Sequence, residues 1–372
     1  MMQIDFVIPC LLGIEGLISD ELRCLGAENV TAENGRVLFC GDEYMLARVN
    51  INSRYAERVQ ILVGSFEARS FEELFEGTKA LEWENWLGSE DSFPVKGYSI
   101  NSALFSVSDC QSIIKKAVVE RLKQKYRLEW FDETGPVHQI QFSIMKDKVS
   151  LLLDTSGEGL HKRGYRLEAS TAPLKETLAA SLCNISRLRP YHKLYDPMCG
   201  SGTIIIEGAM MACGIAPGVN RFFSAERWDV ISSAAWDNER ERAQSLKNMD
   251  NDFFAYGSDI DEGVVEIAKL NAARAGVTDK IKFFTADIKD FKPQTEKGTL
   301  ICNPPYGERL LDIQQARGLS SAMGRVFEKR KGWSYSIISA SETFEEDFGR
   351  KADKRRKLYN GMIKCQVYMY FK

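Results

Sequence analysis

The sequence predicts an α/β protein, with an open, mostly parallel sheet over residues 166–372 preceded by two smaller α+β units over residues 1–55 and 56–165. Three observations predict it. From residue 166 onward, strand-like and helical segments alternate, as βαβ units require. Before that point, short strands flank single amphipathic helices, as in mixed sheets. The composition is that of a globular chain: 372 residues, 44% hydrophobic and 27% charged, enough to bury a core without disulfides.

In the first unit, QIDFVIPC alternates like a strand, and GIEGLISDELRCLG reads as an amphipathic helix closed by Gly26. NVTAENGRVLFCG gives two strands around the turn Glu33-Asn34-Gly35, and YMLARVNINSR returns to helical spacing. In the second unit, RVQILVGSFEA is a strand. SFEELFEGTKALEWENWL is an acidic helix offering Phe71, Leu74, Leu81, Trp83 and Trp86 to a core. FPVKGYSIN is strand-like. DCQSIIKKAVVERLKQKYR is a helix with Ile113, Ile114, Ala117, Val118 and Leu122 on one face. HQIQFSIMKDKVSLLLDTSG is a hairpin with Lys146-Asp147 near its tip. In the third unit, KLYDPM, FFAYGSD, IKFFTAD, GTLICNPP, WSYSIISAS and KCQVYMYF are the expected strands, and TIIIEGAMMA and EGVVEIAKLNAARAG are helices between them.

The charge balance, 49 Lys and Arg against 52 Asp and Glu, excludes a uniformly basic nucleic-acid coat, so any polyanion contact must come from local clusters. Nine Cys form no C-x-x-C pair, and the three His (His138, His161, His192) are far apart, so no metal site is expected. Reduced thiols point to a cytoplasmic protein. The N-terminus has no basic region, and Asp5 and Glu15 interrupt its apolar run, so neither a signal peptide nor a membrane span is expected.

Four motifs fall at the ends of strands in the third unit. The first is Asp196-Pro197-Met198-Cys199-Gly200-Ser201-Gly202-Thr203, a glycine turn opening a helix. Its glycines allow close backbone approach, and the helix N-terminus offers free N–H groups. A dinucleotide fingerprint would need Gly where Ile205 stands, and no Gly-Lys pair exists for a P-loop. The second motif is Asp259, an acid suited to accept two ribose hydroxyls, with Asp261 or Glu262 serving the next helix N-terminus. The third is Asp287, which can accept from an adenine amino group. The fourth and most specific is Asn303-Pro304-Pro305-Tyr306. An exocyclic base amino group is a poor nucleophile because its lone pair is delocalised. The Asn303 side-chain oxygen and the Pro304 carbonyl can take its two hydrogens and aim the lone pair at an electrophile. Tyr306 offers a face for the base to stack on. Cys199 and Cys302 read as packing residues, since amino methylation needs no nucleophilic thiol.

DPMCGSGT, GSD, TAD and NPPY resemble the successive motifs of class I S-adenosylmethionine-dependent methyltransferases acting on amino groups. LHKRGYRLEASTAPLKETL (160–178) and GERLL (307–311) resemble the THUMP-containing large-subunit rRNA guanine-N(2)-methyltransferases, a family often labelled as adenine-specific DNA methylases. The resemblance implies a Rossmann-like methyltransferase domain over 166–372, a THUMP RNA-binding domain over 56–165 and a ferredoxin-like domain over 1–55. It implies S-adenosylmethionine as cofactor, held by Thr171, Pro173, Asp196, Gly200, Ser201, Gly202, Thr203, Asp259 and Asp287. It places the target base at Asn303, Pro304 and Tyr306. Bifunctional members carry a second methyltransferase domain, so a single methylation is expected here.

The motifs do not separate guanine from adenine or RNA from DNA. The expected partner is rRNA, because of the flanking domains and two basic runs. Lys115, Lys116, Arg121, Lys123, Lys125 and Arg127 lie against one acid, Glu120, and are expected to contact RNA. Arg350 to Lys357 is equally basic and reads as phosphate contact or a surface loop, and Arg325 and Lys329 to Lys331 add to it. The acids between Phe71 and Glu84 argue that their helix faces away from phosphate. Trp83, Trp86 and Trp130 are expected in the core. Two readings compete: an adenine-N(6) DNA methyltransferase, and a non-catalytic RNA-binding assembly protein. The oligomeric state is open.

Overall fold

A computed structural model describes residues 3–166, 174–305 and 313–371. The chain runs β1 (Ile4–Pro9), α1 (Glu15–Leu25), β2 (Glu28–Glu33), β3 (Arg36–Gly41), α2 (Glu43–Asn52), β4 (Gln60–Glu67), α3 (Phe71–Lys79), β5 (Val95–Ile100), α4 (Val107–Tyr126), β6 (Ile140–Met145) and β7 (Lys148–Asp154). It continues through α5 (Glu176–Ile185), β8 (Lys193–Asp196), α6 (Thr203–Ala212), α7 (Ser233–Ser245), β9 (Phe254–Asp259), α8 (Glu262–Arg274), β10 (Ile281–Thr285), β11 (Gly298–Cys302), α9 (Ile313–Val326), β12 (Trp333–Ser339), α10 (Phe344–Phe348), β13 (Lys354–Asn360) and β14 (Ile363–Tyr370).

Local chemistry sets the element ends. Gly26 closes α1 in the left-handed region, and Asp42 caps α2 by accepting from the Met45 N–H at 2.8 Å. Ser70 and Glu73 form a reciprocal capping box at the start of α3. Lys146 and Asp147 both have positive φ, the conformation a two-residue hairpin turn needs. The acidic helix expected to reach Leu87 stops at Lys79, and a 3-10 turn over Trp83–Asn85 follows. Leu74, Trp83 and Trp86 are buried as expected, but Phe71 is exposed and so is Trp130, at 78%.

The two N-terminal α+β units share one seven-stranded sheet, in the order β2-β3-β1-β4-β7-β6-β5. Strand β4 joins them, pairing with β1 on one side and β7 on the other. The second sheet has the order β10-β9-β8-β11-β12-β14-β13, five parallel strands with an antiparallel pair at one edge. The basic run expected as phosphate contact or loop is therefore in part an edge strand, β13, a position where charged residues discourage pairing with other chains. The chain passes outward from β8 to β10, then returns to place β11 and β12 on the other side of β8, so the order reverses at β8 and β11.

The first two units are fastened to the third by polar bonds. Arg48 on α2 holds Glu239 on α7 through two bonds of 3.0 and 2.7 Å. Buried Arg163 donates to the Arg54 carbonyl at 2.6 Å, and Tyr165 donates to Glu207 on α6 at 3.1 Å. Among the described residues, no helix is long and apolar enough to cross a membrane.

Candidate active site

In a parallel open sheet, ligands bind beyond the carboxyl ends of the strands where the order reverses. Asp196 ends β8, Asp259 ends β9, and Asn303 follows β11. Asp287 lies just past β10 as the cap of a short 3-10 turn. Four consecutive parallel strands thus carry these four residues to one edge. Strands β8 and β11 are direct neighbours, with Leu300 opposite Tyr195, so the asparagine loop stands beside the glycine turn.

The glycine turn is built for close approach. Gly200 and Gly202 have φ of +51° and +84°, and Gly202 is the N-cap of α6. A Cβ on Gly202 would sit 3.0 Å from the Phe283 ring and 3.1 Å from Ala268. Asp259 ties the turn to β9: its Oδ2 accepts the Gly200 N–H at 2.9 Å and its Oδ1 accepts the Asp261 N–H at 3.2 Å. Asp261 caps α8 by accepting from Gly263 and Val264, the helix-end role expected for it or Glu262. Ser201 is held by Asn271, which donates to its carbonyl at 3.1 Å.

Asp196 is 1% exposed, with one backbone bond, from the Met198 N–H at 3.2 Å. Burial, followed by the repulsion of Asp259, pushes its carboxyl well above the usual carboxylate range, and among the described residues no cation offsets this. Asn303 Oδ1 is buried and, among the described residues, has no hydrogen-bond partner. Such a group is costly unless a ligand completes it. Burial also raises the Cys199 and Cys302 thiols well above their ordinary value, so neither is an activated nucleophile. His192 precedes β8, at the far end of the strand from the site, where it contacts Thr299.

Thr171, Pro173 and Tyr306 lie outside the described residues. Two residues not singled out from the sequence stand at this edge. Arg166 donates to the Thr203 hydroxyl at 2.5 Å and to the Leu174 carbonyl at 3.0 Å, linking Leu174 to the start of α6. It sits within LHKRGYRLEASTAPLKETL, the one signal that could have marked it. Ile260 is 69% exposed between Asp259 and Asp261, an apolar side chain beside two acids.

On helix α4, expected to contact RNA, several cations are paired within the protein. Arg121 is bound by Glu84 at 2.9 and 2.6 Å, and Lys115 by Glu133 at 2.5 Å. Lys125 lies 3.9 Å from Glu84, and Lys123 3.6 Å from Glu129. Lys116 sits 5.8 Å over the Phe75 ring, and Arg127 closes the helix in the left-handed region. Glu84, in the 3-10 turn after α3, thus partners two of these cations, Arg121 and Lys125.

The donor set fits S-adenosylmethionine, which carries a positive sulfonium and ribose hydroxyls. A buried, uncompensated carboxylate suits the cation, and a second carboxylate at the next strand end suits a diol.

Comparison with known proteins agrees. Residues 163–369 match the RMKL-like methyltransferase domain family, residues 5–60 the RlmL ferredoxin-like domain, and residues 68–154 the THUMP domain. The chain is 43% identical to the candidate RNA methyltransferase YpsC of Bacillus subtilis (strain 168), covering 100% of this chain and 97% of that protein. It is 35% identical to the ribosomal RNA large subunit methyltransferase K/L of Psychromonas ingrahamii, covering 99% of this chain but only 50% of that one. Two solved structures superpose over 100% of the chain with TM-scores of 0.94. One, from Listeria monocytogenes, is described as a predicted N6-adenine-specific DNA methylase; it is 45% identical and 97% covered. The other is the candidate methyltransferase SMU.472 complexed with S-adenosylhomocysteine, 42% identical and 98% covered. With the glycine turn, the strand-end acids and the Asn-Pro-Pro loop on adjacent strands, this chain belongs to the RMKL-like family of S-adenosylmethionine-dependent methyltransferases that carry a THUMP domain.

Proposed function

We propose that this methyltransferase modifies the exocyclic amino group of a guanine, at N(2), in large-subunit (23S) rRNA. The observation that carries the reading is the buried Asn303 Oδ1, without a partner among the described residues, in the loop after the strand that neighbours β8 and its glycine turn. A base amino group supplies the missing donor. Asn303 Oδ1 and the Pro304 carbonyl accept its two hydrogens, and the nitrogen lone pair is released from the ring. Pro304 and Pro305 fix the backbone so that the carbonyl keeps its direction. Tyr306 stacks on the flipped base.

When bound, S-adenosylmethionine supplies an electrophilic methyl. Asp196 and the Gly200–Thr203 turn hold its methionine and sulfonium side, Asp259 its ribose and Asp287 its adenine, with Thr171 and Pro173 along it. The chain needs no strong base before attack, because orientation and electrostatics lower most of the barrier. The inert Cys199 and Cys302 agree with transfer directly to nitrogen. A cavity of about 180 Å³ beside Pro304 and Pro305, lined also by Leu319, Ser339 and Ser341, leaves space next to the loop.

The rRNA assignment rests on the THUMP match and on the 35% identical K/L relative, of which this chain spans about half the length. An adenine N(6) amino group presents the same two hydrogens, and the Listeria relative's description favours that substrate. Labelled methyl transfer to a 23S rRNA transcript and to duplex DNA, followed by nucleoside mass spectrometry, separates the two. N(2)-methylguanosine in rRNA is expected; N(6)-methyladenine in DNA overturns the reading. Asn303→Ala should cut turnover by about 10²-fold or more, the scale of removing one transition-state hydrogen bond, with cofactor affinity kept within about threefold.

A further inference from the structure

We infer that a basic groove beneath the second sheet, at the end opposite the Asn303 loop, binds the phosphate backbone of the RNA substrate. The inference rests on the RNA reading above. Two basic runs, far apart in sequence, converge there. Lys329, Arg330 and Lys331 precede β12, and Arg350 and Lys351 precede β13; together with Asp353 they line a groove of about 650 Å³. Lys329, Arg330, Lys331 and Lys351 are all exposed. Among the described residues only Arg330 of these four has an acid within ion-pair distance, Glu328 at 2.9 Å. The Asp353 carboxylate already accepts the Phe371 N–H at 2.7 Å.

Arg350 anchors the floor. Its guanidinium lies 4.8 Å over the Tyr370 ring and 5.3 Å over the Phe348 ring, and its Nη2 donates to the Phe327 carbonyl at 3.0 Å. Its Nε is buried and, among the described residues, has no partner, in a residue that lines the positive groove. Lysine ammonium groups on flexible stems around an immobilised arginine suit phosphate oxygens, which they meet as adaptable point charges. The contrast with α4 decides between the two basic surfaces: most of the α4 cations have acids beside them, and most of those in the groove do not.

The position also has a consequence for the substrate. The groove includes Trp333 at the start of β12, while Ser339 at its end lines the cavity beside Pro304. Seven strand residues separate the two by about 20 Å. An RNA that fills both must reach across the depth of the sheet, so a folded rRNA segment is held where a free nucleoside or a short oligomer would be held only at the loop.

The test is filter binding of the full chain to a 23S rRNA transcript across a salt series, comparing wild type with the triple variant Lys329→Ala, Lys331→Ala, Lys351→Ala. Affinity at 150 mM salt should fall at least tenfold. The slope of log affinity against log salt should fall by about 2, as expected for two to three lost phosphate contacts. S-adenosylhomocysteine affinity should be unchanged by calorimetry. The single reversal Lys331→Glu, on an exposed residue, should give the same direction and serves if the triple variant folds poorly. If wild type binds the transcript and both variants bind it equally with the same slope, the groove assignment is overturned while the RNA reading stands. If wild type binds S-adenosylhomocysteine but not the transcript, the RNA reading fails and the groove assignment fails with it. Tighter binding of polyglutamate than of the transcript, lost in the triple variant, would assign the groove to an acidic protein and also overturn the proposal.

Discussion

Asp259→Asn is the most direct test of how the strand ends hold the cofactor. The two carboxylate oxygens each accept a backbone N–H, from Gly200 at 2.9 Å and from Asp261 at 3.2 Å. Asparagine keeps one acceptor and turns an amino group toward the other donor, so one of the two N–H groups must lose its partner. A hydrogen bond to a charged group contributes about 1.5–3 kcal/mol. The loss falls on the turn that carries Gly200 at φ +51°, or on the start of α8. Either displaces the surface that meets the cofactor, and the ribose loses a charged acceptor as well. S-adenosylmethionine affinity should therefore drop about 10- to 150-fold, since each 1.4 kcal/mol is tenfold. The control is Asp287→Asn. Asp287 accepts one backbone bond, from Lys289 at 2.9 Å, which an asparagine oxygen retains. Its thermal midpoint should stay near wild type, and its affinity should fall less. Calorimetry on both variants gives the answer. An Asp259→Asn variant within threefold of wild type, or one that loses no more than Asp287→Asn, refutes the tie between Asp259, the glycine turn and the ribose.

Asp196→Asn should stabilise the ligand-free protein at neutral pH while weakening cofactor binding. Burial raises the folded carboxyl pKa, so the unfolded chain releases its proton first as pH rises above about 4, and stability falls from there to the folded pKa. The gain in thermal midpoint should thus be largest near pH 7.5 and vanish near pH 4; an equal gain at both would remove burial of a charge as the cause. Arg48→Ala should destabilise by about 2 kcal/mol, because Glu239, with its side chain 4% exposed, loses both bonds to Arg48 and keeps only the longer contact with Arg242 at 3.5 Å. The double variant Arg48→Ala, Glu239→Gln should recover part of that loss in chemical denaturation. Cys302→Ala should keep more than half of wild-type turnover, and a loss of 10²-fold would point to a thiol step instead.

The sequence made the glycine turn and the Asn-Pro-Pro loop legible because each places unusual backbone chemistry directly after an apolar strand. Gly200 and Gly202 do adopt positive φ, and Asp261 does cap the following helix. What was not legible depends on partners remote in the chain. Glu84 lies 37 residues from Arg121, and nothing in the periodicity of α4 says that the two meet. Lys115 and Glu133 are 18 apart and meet across a turn. Strand β13 carries the run Lys354-Arg355-Arg356-Lys357, with no alternation to mark a strand; its edge position is what makes four consecutive cations tolerable. Trp130 was expected in the core from apolar spacing, but it sits outside any helix or strand that would carry it inward. The joining of the two N-terminal units into one sheet through β4 is likewise a property of pairing, not of any single segment.

The electrostatic demands at the site are of one kind on both sides of the sheet's reversal point. At the end of β8, Asp196 is buried with a raised pKa and no offsetting cation among the described residues. Just past β11, Asn303 Oδ1 is an acceptor without a donor among the described residues. Both positions are short of positive charge or of hydrogen, and each costs stability in the empty protein. On the proposed reading, a cationic methyl donor answers the first deficit and a base amino group answers the second. The strands that carry them are neighbours, so that reading has the register of β8 and β11 bring the two ligands together. The thiols on either side, Cys199 and Cys302, are held protonated by burial and stay out of the reaction. If the proposed roles hold, Asp196 and Asn303 each gain a complementary partner only when cofactor and base are placed for transfer, so binding and positioning are the same event.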